Sequence, residues 1–128
     1  MARTPELQEG FVLLDNSTRM DAISVLFEHP VETVRADEPA GVHKALAALQ
    51  AGLSRGLHAA GFFSYELGYV LEPKLPARLP AKRAVPLLWF GLYKEPREMR
   101  GSQVQAWLRA EAIGDPALGA LTHSWSRE

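Results

Sequence analysis

The chain has 128 residues, with 14 Lys and Arg against 15 Asp and Glu, a net charge of −1 and no cysteine. That balance gives no electrostatic basis for binding nucleic acid or an anionic membrane, and the lack of thiols excludes disulfides, thiolate metal sites and thiol catalysis. Length and an apolar fraction of 47% suffice for one domain with its own core.

Residues 1–9 are polar and read as a flexible N-terminus, followed by one domain over 10–128. Met1-Ala2-Arg3-Thr4-Pro5-Glu6 carries no apolar segment of a secretory signal. No apolar run reaches the roughly 20 residues that span a bilayer. A cytoplasmic location is expected.

Phe11-Val12-Leu13-Leu14 reads as a short buried strand. Asp15-Asn16-Ser17-Thr18 is a cluster of turn and cap formers. The three-residue spacing of Met20, Ile23 and Leu26 predicts a short helix or turn that also carries Val25 and Phe27. Pro30 to Ala36 is expected to be a strand with Pro30 at its first position.

The clearest helix follows. Asp37-Glu38-Pro39 opens it, and Val42, Leu46, Leu49 and Leu53 form one face at steps of four, three and four. Gly56 suits the position just past its end, with Arg55 at the negative pole. His58 to Tyr65 reads as a strand of small and aromatic residues, and Glu66 to Leu71 as a short helix ended by Pro73. Pro73, Pro76, Pro80 and Pro86 leave no regular element over 73–86. Pro86 to Tyr93 is apolar on both faces, which predicts a central strand. Ser102 is expected to cap a helix carrying Val104, Trp107 and Leu108. The tail 114–128 is turn-rich. The fold class this order implies is α+β: a mostly antiparallel sheet with two to three packed helices.

Few residues announce chemistry. His29, His43, His58 and His123 do not share metal-ligand spacing and read as exposed or singly hydrogen-bonded. Ser64 lacks a nucleophile-elbow pattern. Glu66 and Glu72 need not converge, and Glu66 reads as an acceptor for backbone amides or an Arg. Lys74, Arg78, Lys82 and Arg83 lie in the Pro-rich segment and read as a solvated loop, with a polyproline-type ligand as the rival reading. Asp15 to Thr18 form either a plain turn and cap or the polar rim of a small-molecule pocket with Leu13 and Leu14.

Three elements, in this order, carry a resemblance: Phe11-Val12-Leu13-Leu14-Asp15-Asn16, Ala60-Gly61-Phe62-Phe63-Ser64-Tyr65-Glu66-Leu67-Gly68-Tyr69-Val70-Leu71-Glu72, and Pro86-Leu87-Leu88-Trp89-Phe90-Gly91-Leu92-Tyr93. Over 10–128 the chain resembles the amino-terminal domain of the chorismate-utilising synthases. The Leu-Gly-Tyr-Val-Leu-Glu-Pro form favours aminodeoxychorismate synthase component I (para-aminobenzoate synthase component I) over anthranilate synthase component I.

The resemblance implies the amino-terminal part of that synthase fold, with Tyr65, Glu66 and Trp89 as structural residues. It implies a tryptophan-type pocket at Leu13, Leu14, Asp15, Asn16 and Ser17. Asn16 stands where the family has Ser, which weakens the transfer of tryptophan binding. The parent transferase aminates chorismate to 4-amino-4-deoxychorismate, for 4-aminobenzoate and folate biosynthesis. Its catalytic groups and its Mg2+ belong to a downstream chorismate-binding domain, whose first helix Trp125-Ser126-Arg127-Glu128 would begin. This stretch would then hold no catalytic residue, metal site or cofactor and be inactive alone. The expected partners are the chorismate-binding domain and a glutamine amidotransferase subunit. Independently of the resemblance, the apolar faces of Val42/Leu46/Leu49/Leu53, of Pro86 to Tyr93 and of Trp107/Leu108 exceed what about two layers can cover, which predicts a homodimer or higher species, and the charge balance predicts no nucleic acid or membrane. The alternatives are a tryptophan-sensing domain of anthranilate synthase component I and a stand-alone binding module.

Overall fold

The computed structural model of the chain describes residues 10–111. The expectations for 1–9, for the tail 114–128 with His123, and for Trp125 to Glu128 lie outside the described residues. The rest is an α+β fold of two three-stranded antiparallel sheets and three α-helices.

The first sheet runs β1 (Val12–Leu14), β2 (Ile23–Phe27), β6 (Arg97–Arg100), with β2 in the middle. The second runs β3 (Glu32–Ala36), β5 (Leu88–Tyr93), β4 (His58–Phe63), with β5 in the middle. All four pairings are antiparallel. Every residue of β4 has a register partner in β5, from His58 opposite Tyr93 to Phe63 opposite Leu88. The central place expected for Pro86 to Tyr93 is therefore observed, with the strand itself starting at Leu88.

Helix α1 (Val42–Ser54) covers one face of the second sheet. It is entered through a 3-10 turn at Pro39–Gly41. Its buried residues are Val42, Ala45, Leu49 and Gly52, packed with Val34, Ala36, Leu88 and Leu92. Leu53, expected on this face, is 53% exposed. The stripe is rotated because the small residues Ala45 and Gly52 face the sheet. A Cβ at Gly52 would sit 2.5 Å from Leu92 Cδ1, so the leucine uses the space that the glycine leaves. The helix ends as its sequence requires. Gly56 has φ +82°, its N–H donates to Leu53 O, and the Leu57 N–H donates to Gly52 O.

Three expectations are corrected. Residues 23–27 form a strand and not a helix. The spacing of Met20, Ile23 and Leu26 imitates a helical stripe, yet Ser24 and Leu26 are the fully buried pair and alternate with more exposed neighbours. Pairing with β1 on one side and β6 on the other decides the conformation. Next, β1 is a half-buried edge strand and not a buried one. Finally, Ser102 is not the cap of α3 (Gly101–Glu111) but lies inside its first turn. Gln103 Oε1 instead accepts the Arg100 N–H at 2.8 Å, the side-chain half of a capping box. The short helix after β4 is α2 (Leu67–Leu71), close to expectation.

Helix α3 rests Val104 and Trp107 on Leu13, Leu26 and Met99 of the first sheet. Glu28 ties three elements there. It accepts from Trp107 Nε1 at 3.2 Å and from Arg97 at 2.9 Å. The sheets meet through Tyr93. Its ring lies over Gly91, packs on Phe27 at 5.4 Å between centroids, and its hydroxyl donates to the Gly10 carbonyl at 3.2 Å.

Candidate functional site

The polar cluster after β1 is organised by a residue that sequence reading passed over. Ser24, on β2, is fully buried. Its hydroxyl donates to Asp15 Oδ1 at 2.9 Å and accepts the Asn16 N–H at 2.9 Å. Asn16 Oδ1 in turn accepts from the Thr18 hydroxyl at 2.7 Å. The turn 15–18 is thus pinned to the middle strand of the sheet. A period-two reading of Ile23-Ser24-Val25-Leu26-Phe27 is the signal that places Ser24 inward with Leu26.

Beside this turn lies a cavity of about 140 Å3. Asp15, Asn16, Ser17 and Met20 line one side, and Val104, Gln105 and Leu108 of α3 line the other. Three of the five residues expected at a pocket, Asp15, Asn16 and Ser17, are therefore together. The other two are not. Leu13 packs into the core under α3, and Leu14 is 58% exposed. Adjacent strand residues point to opposite faces, so the two leucines cannot line one cavity from the same side.

Removing the Ser24 hydroxyl breaks the bonds to the Asn16 N–H and to Asp15 together. Ser24→Ala is expected to cost about 1–2 kcal/mol in urea denaturation. A loss indistinguishable from zero would mean that the pinned turn is not held by this bond.

The residues expected to be structural occupy different settings. Trp89 is half-buried on β5, and its ring lies against Gly10. Tyr65 is 85% exposed and meets Tyr69 edge-on at 5.9 Å. Glu66 begins the turn into α2, its backbone carbonyl accepting the Tyr69 N–H. Its carboxylate has no hydrogen-bond partner among the described residues.

A second, larger hollow of about 460 Å3 lies between the β3–α1 connection and the Pro-rich loop. Four of its charged side chains are paired, Arg35 with Asp37 and Arg83 with Glu38. Arg35 holds Asp37 through two bonds of 2.7 Å, and this keeps the Asp37 carboxyl below its ordinary pKa and the guanidinium above its own. Arg83 departs from the expected solvated loop. Its side chain is only 9% exposed, reaches Glu38 at 3.1 Å and donates to the carbonyls of Pro80 and Asp37. It anchors the loop.

His29, His43 and His58 are all exposed. Among the described residues no group of three His, Cys, Asp or Glu side chains could hold a metal ion, and no helix is long and apolar enough to cross a membrane. Comparison with protein families, with curated proteins and with solved structures finds no match to this chain.

Proposed function

We propose that this chain is the non-catalytic amino-terminal scaffold of a chorismate-utilising synthase, of the aminodeoxychorismate branch, working in the cytoplasm. Its task is to complete the core of a chorismate-binding domain and to supply one wall of a small-ligand pocket. The parent reaction replaces the 4-hydroxyl of chorismate by an amino group, with ammonia from a glutamine amidotransferase subunit. The Mg2+ belongs with the chorismate-binding domain.

One observation carries this reading. The three sequence elements that bear the resemblance are far apart in the chain yet converge in space. The second and third are register partners, Ala60 to Phe63 against Leu88 to Gly91. The first begins beside Gly10, which touches both Trp89 and Tyr93 of the third. The size of the turn cavity adds support. Its 140 Å3 falls below the roughly 300–1,000 Å3 of self-sufficient ligand pockets. In this reading a second domain supplies the missing wall.

The test is a calorimetric titration of the 128-residue chain into a separately produced chorismate-binding domain of the aminodeoxychorismate type. The expected result is one-to-one association. No heat and no co-sedimentation at the highest soluble concentrations would overturn the proposal.

A further inference from the structure

The sheets have four edge strands, and three carry features that discourage pairing with another chain. β1 is only three residues long. β3 displays Glu32 and Arg35, and β6 displays Arg97, Glu98 and Arg100. Short length and edge charge are the usual protections of a sheet edge. β4 has neither. It is six residues, His-Ala-Ala-Gly-Phe-Phe, with no Lys, Arg, Asp, Glu or Pro, and β5 is its only ladder neighbour among the described residues.

The hydrogen-bonding sense of β4 follows from its neighbours. Leu92 O accepts from Val31, so Leu92 turns its backbone groups toward β3. Alternation then turns Trp89, Gly91 and Tyr93 toward β4, where they meet Phe62, Ala60 and His58. Ala59, Gly61 and Phe63 are left with their N–H and C=O groups facing the open edge. Phe62 and Phe63 stand on opposite faces of that edge, 40% and 55% exposed. Phe63 packs on Phe90 on the α1 side, and Phe62 lies on the other.

From this edge we infer that β4 pairs antiparallel with β4 of a second copy of the chain, about a two-fold axis at Gly61. The order small-small-Gly-large-large is self-complementary in that register. Phe63 of each copy lies opposite Ala59 of the other, and Phe62 opposite Ala60. Every outward backbone group of Ala59, Gly61 and Phe63 then has a partner. The strand bears no carboxylate, Lys or Arg, so no like charges are brought face to face. The result is one six-stranded sheet across the dimer. The inference uses only β4 and its register, and it holds with or without a catalytic partner domain.

The test is sedimentation equilibrium on the 128-residue chain, beside hydrogen exchange at two concentrations. A reversible monomer–dimer equilibrium is expected. Amides of Ala59, Gly61 and Phe63 slow as concentration rises, while those of Ala60 and Phe62 are protected throughout. Phe62→Lys is expected to weaken the dimer about tenfold or more, with the far-UV spectrum and urea midpoint confirming that it folds. Should that variant fail to fold, the exchange pattern of the unaltered chain decides alone. A monomer at every concentration, or a dimer in which those three amides exchange freely, overturns the inference. So does slowing that occurs only when a chorismate-binding domain is added, which would assign the edge to that domain.

Discussion

Replacing Tyr93 by alanine is expected to cost about 3–5 kcal/mol of folding stability, the range for removing a large buried aromatic ring. The residue is fully buried at a contact between the two sheets. The ring covers Gly91, which has no side chain to compete for the space, and reaches Phe27 of β2. Truncation therefore opens a cavity between the sheets and not within one of them. Tyr93→Phe isolates the hydroxyl. It keeps the ring and loses only the bond to the Gly10 carbonyl, so the expected cost is about 1 kcal/mol.

The same hydroxyl gives a pH signature. Burial raises its pKa above the ordinary 10.0. The folded chain thus holds this proton at pH values where the unfolded chain has released it. Its contribution is complete below about pH 10 and falls as pH rises through the raised folded value. Urea midpoints measured across that alkaline range should decline for the parent and decline less for Tyr93→Phe. Parallel declines would remove Tyr93 as the source.

Gly61→Ala is the second large effect. An added Cβ would collide with the Trp89 carbonyl oxygen and lie 2.6 Å from Phe90 Cα. Both obstacles are backbone atoms of the central strand, so no flexible side chain can give way. Relief requires β4 to move off β5, along a register that runs from His58 to Phe63. The expected cost is at the upper end of the usual overpacking range, about 3 kcal/mol. Gly68→Ala is the matched control, because a Cβ there meets nothing within 4 Å. Equal urea midpoints for the two variants would show that the close approach of β4 and β5 is not as described.

How much of this was legible in the sequence differs by element. The helix over 42–54 and the strand ending at Tyr93 were readable because local periodicity and burial agree there. Gly56 was readable because a positive φ has a residue type that suits it. The strand Ile23–Phe27 was misread because three-residue spacing occurs by accident in five residues, while the two neighbours that make it a strand are remote. β6 was missed altogether. It is a charged edge strand in which only Met99 is buried, so no apolar alternation marks it.

The candidate site divides along the same line. Asp15, Asn16 and Ser17 stand out as a polar cluster following an apolar run. Ser24 and the α3 residues Gln105 and Leu108 join them only through the tertiary fold. The exclusion of Leu14 was within reach of strand geometry, since Leu13 and Leu14 must face opposite ways. Arg83 escaped for a different reason. A loop cation looks solvated until the loop closes and places the Pro80 and Asp37 carbonyls around it.

We have proposed that this domain supports chorismate amination without performing it. The most direct measurement supplies chorismate, Mg2+ and glutamine to the 128-residue chain alone, then together with the chorismate-binding domain and the amidotransferase subunit, and identifies the product. The expected result is no turnover by the chain alone and 4-amino-4-deoxychorismate from the full set, at a rate that falls when the chain is withheld. Turnover by the chain alone, a rate indifferent to its presence, or anthranilate as the product would contradict the account.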